Sequence, residues 1–267
     1  MQPIRPITIT ASLGLGAVTL GLASILVNGP SAAAQVEPTQ LSPDPTIIEF
    51  FRRDPEDRNR GRDGTSRGDG WVETAEGSEA EPSRTCILNP GRNDTLWHLQ
   101  PLFLIQGRVS RMEVKEFQPF LRRRIDPPPL VLWSVAPNAV GDALVKAPFE
   151  ATPLEPGTRY EWRIYQTSAR AENSGLPTYI LPFRVMSNGP DRDQITIDLA
   201  QLHTDLVAQG ANSAAIAEAK ATYFLEQDMP ADALHILFSV DETDLTPALT
   251  TLQTTLIDTI CSEEITS

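Results

Sequence analysis

The sequence predicts an α+β chain, an antiparallel β-sandwich followed by a small all-helical C-terminal domain. Three observations lead there. Between residues 86 and 189, short apolar runs are punctuated by proline and glycine, and the clearest of them alternates apolar with polar residues. From residue 190 onward, leucine and isoleucine recur at steps of three and four. Charge divides at the same places. Residues 35–85 carry 12 acids and 7 bases, residues 86–189 carry 9 and 12, and residues 190–267 carry 14 and 2.

Taken in order, the chain opens with a single cation, Arg5, and an uncharged, mostly apolar run from Ile7 to Val27. Ala32 and Ala34 then fit the small-residue rule for signal-peptidase cleavage, which predicts a signal peptide over 1–34 and a mature N-terminus at Gln35. The rival is a retained anchor, because about 20 apolar residues can cross a bilayer. Gly14, Gly16, Gly21 and the break at Asn28-Gly29-Pro30 favour cleavage. Either way the bulk of the chain is exported.

Residues 35–85 read as a disordered acidic linker, too poor in large apolar side chains to offset the entropy of ordering. Within it, Thr46–Phe51 has the composition to pack as a short helix or strand. Arg67-Gly68-Asp69 spells an adhesion tripeptide that chance explains in so Gly-, Arg- and Asp-rich a segment. Asp57, Asn59 and Asp63 have a calcium-loop flavour, but Gly61 stands where a ligand is needed and no glutamate closes the loop.

The predicted β-sandwich domain spans residues 86–189. Its strands fall at Leu102–Ile105, at Val109–Phe117 with Met112 and Val114 on one face, at Val131–Val135, at Ala143–Phe149, at Thr158–Thr167 and at Tyr179–Met186. In the fifth of these, Tyr160, Trp162 and Ile164 alternate with Arg159, Glu161 and Arg163, the pattern of a strand buried on one face. The run Leu154-Glu155-Pro156-Gly157-Thr158-Arg159-Tyr160-Glu161-Trp162 resembles the turn and strand of fibronectin-type-III and immunoglobulin-like domains. That resemblance makes the sandwich immunoglobulin-like and implies that the Tyr160 hydroxyl ties back to nearby backbone, with Trp162 in the core.

Residues 190–267 read as an acidic helical domain. Ile195, Leu199, Leu202 and Leu206 form one stripe, and Ile216, Ala219, Tyr223 and Phe224 a second. After the break at Asp228-Met229-Pro230, Ala233, Leu234, Leu237 and Phe238 form a third. Thr246 before Pro247 has the residue types of an N-cap and first helical position, followed by Leu249, Leu252, Leu256 and Ile260. The middle pair has the look of one tetratricopeptide-type hairpin, but a single copy lacks the neighbours such repeats need, so an ordinary bundle is expected.

The order of these parts, with Cys86, Leu96-Trp97, Pro101-Leu102-Phe103, the Leu-x-Pro-Gly-x-x-Tyr-x-Trp strand and an acidic helical tail, resembles the cyanobacterial secreted proteins grouped as domain-of-unknown-function family 928. The resemblance spans roughly residues 83–261, and the chain departs from it in the insertion Arg122–Pro129. It implies a periplasmic or cell-envelope location and transfers no catalytic residues.

A net charge of −13 excludes a general nucleic-acid binder. His98, His203 and His235 are scattered without metal spacing and read as surface or half-buried residues. No nucleophile elbow, zinc-protease helix or phosphate loop is present, so neither a catalytic residue, a cofactor nor a metal is assigned. Asn93-Asp94-Thr95 matches a glycosylation sequon, without consequence in a bacterial chain. Arg122-Arg123-Arg124 is the candidate contact for an anionic glycan, lipid head group or acidic partner. Cys86 and Cys261, an even pair in an oxidising compartment, are expected to form a disulfide. The function expected is an exported, non-catalytic envelope binding or interaction module. A scaffolding subunit whose helical domain takes a protein partner is the alternative, with an unrecognised enzyme behind both.

Overall fold

The computed structural model describes residues 45–52, 85–117, 130–137, 143–166 and 176–263. The expected signal segment, the adhesion tripeptide, the calcium-like spacing and Arg122–Arg124 lie outside these residues. All described residues fall within one compact unit, Gln40–Ser267.

Among the described residues, eight strands form two sheets. They are β1 (Cys86–Asn89), β2 (Thr95–Leu96), β3 (Leu102–Gln106), β4 (Val109–Glu116), β5 (Val131–Val135), β6 (Leu144–Pro148), β7 (Arg159–Gln166) and β8 (Tyr179–Val185). One sheet has the order β1-β3-β6, the other β2-β8-β7-β4-β5. The expectation of a wholly antiparallel arrangement is corrected at one edge, where β2 runs parallel to β8. Thr95 and Leu96 reach that edge by returning from the other sheet, and Leu96, 1% exposed, lies in the core.

The two sheets face each other across a shared core. Phe103 and Ile105 of β3 and Val145 and Ala147 of β6 meet Met112, Val114, Trp162, Ile164 and Phe183 of the larger sheet. Trp162 is fully buried, with its ring centroid 4.9 Å from that of Phe103. The outward face of β4 and β7 is polar but not bare. Glu161 and Glu113, placed outward by the alternation, are buried all the same. The register explains this, because Glu113 stands opposite Arg163 and Lys115 opposite Glu161, so that charges alternate across the ladder. Arg163 donates to Glu161 at 2.8 Å, and Glu113 is flanked by Arg111 and Lys115 at 3.2 Å each.

Among the described residues there are five α-helices: α1 (Pro45–Arg52), α2 (Pro190–Ala208), α3 (Ser213–Glu226), α4 (Pro230–Phe238) and α5 (Pro247–Glu263). The segment singled out within the linker is helical. α1 buries Ile47 and Phe51, four residues apart on one face, in the same core as α3 and α5. An eight-residue helix has little stability alone, so this burial is what holds it. The Asp228 break is present, with a left-handed φ of 55° between α3 and α4. Thr246 caps α5 by accepting from the Leu249 backbone N–H at 3.2 Å. The buried face of α3 differs from the expected one. Ala214, Ala217 and Ala221 turn inward with Phe224 and Leu225, whereas Ile216, Ala219 and Tyr223 are only half-buried. Small alanines let α3 approach its neighbours closely, and that gain outweighs burying the larger isoleucine.

The smaller sheet is covered on both sides. Leu102 and Leu104 of β3, with Cys86 and Leu88 of β1, point away from the larger sheet into the helical core of Leu234, Leu237, Leu249, Leu252 and Leu256. The order is therefore helices, three-stranded sheet, five-stranded sheet. The unbroken run Leu102–Ile105 is apolar because each of its faces meets a different layer. Cys86 and Cys261 lie at disulfide distance, with Cα atoms 5.6 Å apart, joining β1 to α5.

Candidate functional site

α4 carries two polar side chains in an otherwise apolar run, Pro-Ala-Asp-Ala-Leu-His-Ile-Leu-Phe. Asp232 and His235 are three residues apart and share a helix face. That face meets the connection between β2 and β3, where Trp97, His98 and Leu102 have backbone N–H groups to satisfy.

Asp232, 1% exposed, satisfies two of them. It accepts from Trp97 N–H at 2.8 Å and from His98 N–H at 2.9 Å. The same carboxylate accepts from the His98 ring at 2.6 Å, which places a proton on Nδ1 of that imidazole. One turn further along α4, His235 Nδ1 accepts from Leu102 N–H at 3.0 Å. His235 therefore uses its lone pair there and carries its proton on Nε2. The two rings lie with centroids 3.8 Å apart. Phe224 of α3 and Trp97 close the apolar side, with Trp97 at 4.9 Å from the His98 ring. Arg192 of α2 donates to Trp97 C=O at 2.6 Å and to Met186 C=O at 3.3 Å.

The electrostatics follow from the geometry. Burial pushes His235 down to about 3, with a further contribution from neighbouring His98. Burial also lowers Arg192 from its ordinary value, while Asp232 and Asp193 pull the other way. A neutral His235, a carboxylate holding three donors and a committed guanidinium form a polar clasp between the helical layer and the β layers. Its polar capacity is spent on the backbone of residues 97–102. Among the described residues no group of three or more His, Cys, Asp or Glu is placed to hold a metal ion.

The expected exposure of the histidines holds, with His98 and His235 half-buried and His203 exposed, but they are not scattered. His98 and His235 come together across 137 positions of sequence and meet Asp232, while exposed His203 stays apart. A signal was present, because a helix apolar on every side is buried, and a buried Asp or His needs a partner. Of the other sequence-derived residues, Tyr160 and Trp162 lie in the inter-sheet core. Tyr160 accepts Glu155 N–H on its hydroxyl at 2.8 Å, the tie that the Pro-Gly turn implied. Gly157, with φ of 81°, makes that turn. A shallow, open depression of about 370 Å³ lies where β8 leads into α2, lined by Thr95, Arg184, Ser187 and Asn188 among others.

The clasp makes a pH prediction. The unfolded chain protonates His235 near 6.5, whereas the folded chain resists protonation until about 3. Its contribution is complete above pH 6.5 and is lost progressively as pH falls toward 3. Between pH 7 and pH 5 the loss is about 2 kcal/mol. Urea titrations at the two pH values, with His235→Gln alongside to subtract other carboxylates and histidines, measure it. An equal pH dependence in the variant would show that His235 does not carry the effect.

Comparisons with protein-family models, with curated proteins and with solved structures found no match to this chain.

Proposed function

We propose that this is an exported, non-catalytic interaction module of the cell envelope, built on an immunoglobulin-like sandwich and using its acidic helical layer to hold a protein partner. The observation that carries the reading is a contrast within the helices. The Asp232 carboxylate of the clasp is engaged by Trp97 and His98 of the same chain, whereas the apolar stripe of α2 outruns its covering. Ile195 and Leu199 are buried, but Leu202 and Leu206 are only half-buried and Val207 is 53% exposed. The Tyr160–Glu155 tie supports the immunoglobulin-like architecture. The order of Cys86, Trp97, the Pro-Gly turn and the acidic tail supports kinship with the secreted family 928. Among the described residues no helix is long and apolar enough to cross a membrane, which leaves the N-terminal run as the segment that decides attachment.

Cell fractionation with N-terminal sequencing tests export. A periplasmic chain beginning at or near Gln35 is expected, an intact N-terminus in the membrane pellet would favour the anchor, and a full-length cytosolic chain would overturn the reading. Affinity capture from an envelope fraction with the mature protein then tests interaction. A stoichiometric protein partner is expected, and hydrolysis or modification of an envelope substrate by the purified protein would overturn the non-catalytic assignment.

A further inference from the structure

Resting on that reading, the structure identifies the kind of partner. The stripe of α2 follows a seven-residue pattern, with Leu199 and Leu206 at one seam position and Ile195 and Leu202 at the other. The same frame places Asp191, Asp198 and Asp205, exactly seven residues apart, along one flank of the seam. In paired helices the flanking positions choose the partner by charge.

The first half of this seam is used internally. Ile195 and Leu199 join the helical core, and Asp198 accepts the Tyr223 hydroxyl at 2.9 Å. The second half is less engaged, since Leu202 and Leu206 are half-buried and belong to neither core cluster among the described residues. Around the helix, Leu202, Leu206, His203 and Val207 form one continuous arc over its last two turns. Asp205 beside them is exposed, and its carboxylate accepts from Gln201 of the same helix at 2.7 Å.

Neither base of residues 190–267 neutralises this flank. Residues 190–267 hold 14 acids and two bases, Arg192 and Lys220. Arg192 is committed to two backbone carbonyls at the other end of α2, and Lys220 sits half-buried on α3. A helical occupant has a precedent in the fold, because α1 already packs on α3 and α5 through Ile47 and Phe51. A second copy of α2 laid antiparallel would set its aspartates against these, so the charge argues for a cationic partner rather than self-pairing.

We propose that the last two turns of α2 are the docking seam for one amphipathic, cationic helix of a partner protein. Its apolar stripe covers Leu202, Leu206 and Val207, and a Lys or Arg on its flank faces exposed Asp205. The contact is short, so it suits a reversible interaction with a strong salt dependence.

The test uses the mature protein and three synthetic peptides of equal length, followed by fluorescence anisotropy. One has leucine at the seam and lysine on the flanks, one has the same residues scrambled, and one replaces lysine by glutamine. The first is expected to bind best and to weaken as salt rises. Leu202→Ser with Leu206→Ser should weaken it by at least about tenfold, and Asp205→Asn several-fold, while thermal unfolding confirms that both variants remain folded. Equal binding of the scrambled peptide would overturn the proposal, as would variants that bind like the parent or a chain that dimerises through α2 in light scattering. Preference for the glutamine peptide would overturn only the cationic class. A captured envelope partner that is indifferent to the leucine substitutions would place the seam elsewhere and leave the proposed function standing.

Discussion

Removing the Cys86–Cys261 bond is expected to lower the unfolding free energy by roughly 4–5 kcal/mol, by the entropy of closing a loop of this length. The two cysteines are 175 positions apart, so the bond closes nearly all of the folded part. In the unfolded chain that closure excludes a large share of otherwise accessible conformations. The structural effect adds to the entropic one, because Cys86 begins β1 and Cys261 lies near the end of α5, in different layers. Those layers are also held by the Asp232 clasp, while Gln253 of α5 donates to Leu237 C=O of α4 at 2.7 Å within the helical layer. Loss of the bond should therefore destabilise the chain without parting the layers in the native state. Urea titration of the oxidised protein against Cys86→Ala/Cys261→Ala measures this, with near-ultraviolet circular dichroism as the check on native packing. A loss under about 1 kcal/mol would mean that the unfolded chain is already compact enough to keep these ends together.

The strands and helices were legible because their periods are local. Tyr160, Trp162 and Ile164 announce a strand by themselves, and Leu249, Leu252 and Leu256 announce a helix. What covers each face is not a local property. The run Leu102–Ile105 marks a buried strand, but nothing in it says that one side meets a second sheet and the other a layer of helices. The stripe of α2 is the converse case, since Leu202 and Leu206 continue its period past the point where the fold covers it. In α3 the period was misread because alanine counted for less than isoleucine, whereas close packing favours the smaller side chain. The clasp was hidden for a different reason. Asp232 and His98 are 134 residues apart, and no spacing rule reaches that far. Only the oddity of Asp232 and His235 within an apolar helix pointed to it.

Trp162→Ala is expected to cost about 3–5 kcal/mol, the range for truncating a large aromatic in a core that cannot collapse around the gap. Trp162 is fully buried at the centre of β7, with Val114 of β4 on one side in register and Leu181 of β8 on the other. Phe103 approaches from the opposite sheet, so the void would open between two sheets whose separation many other side chains fix. Phenylalanine at the same position should be far milder. The indole N–H of Trp162 has no acceptor among the described residues, so Trp162→Phe removes an unsatisfied donor while it loses volume. A cost of about 1–2 kcal/mol for the phenylalanine variant follows from those opposing terms. Denaturant titration of both variants separates packing from polarity. If alanine and phenylalanine cost the same, the sheets close over the gap and the inter-sheet core is more deformable than its aromatic packing implies.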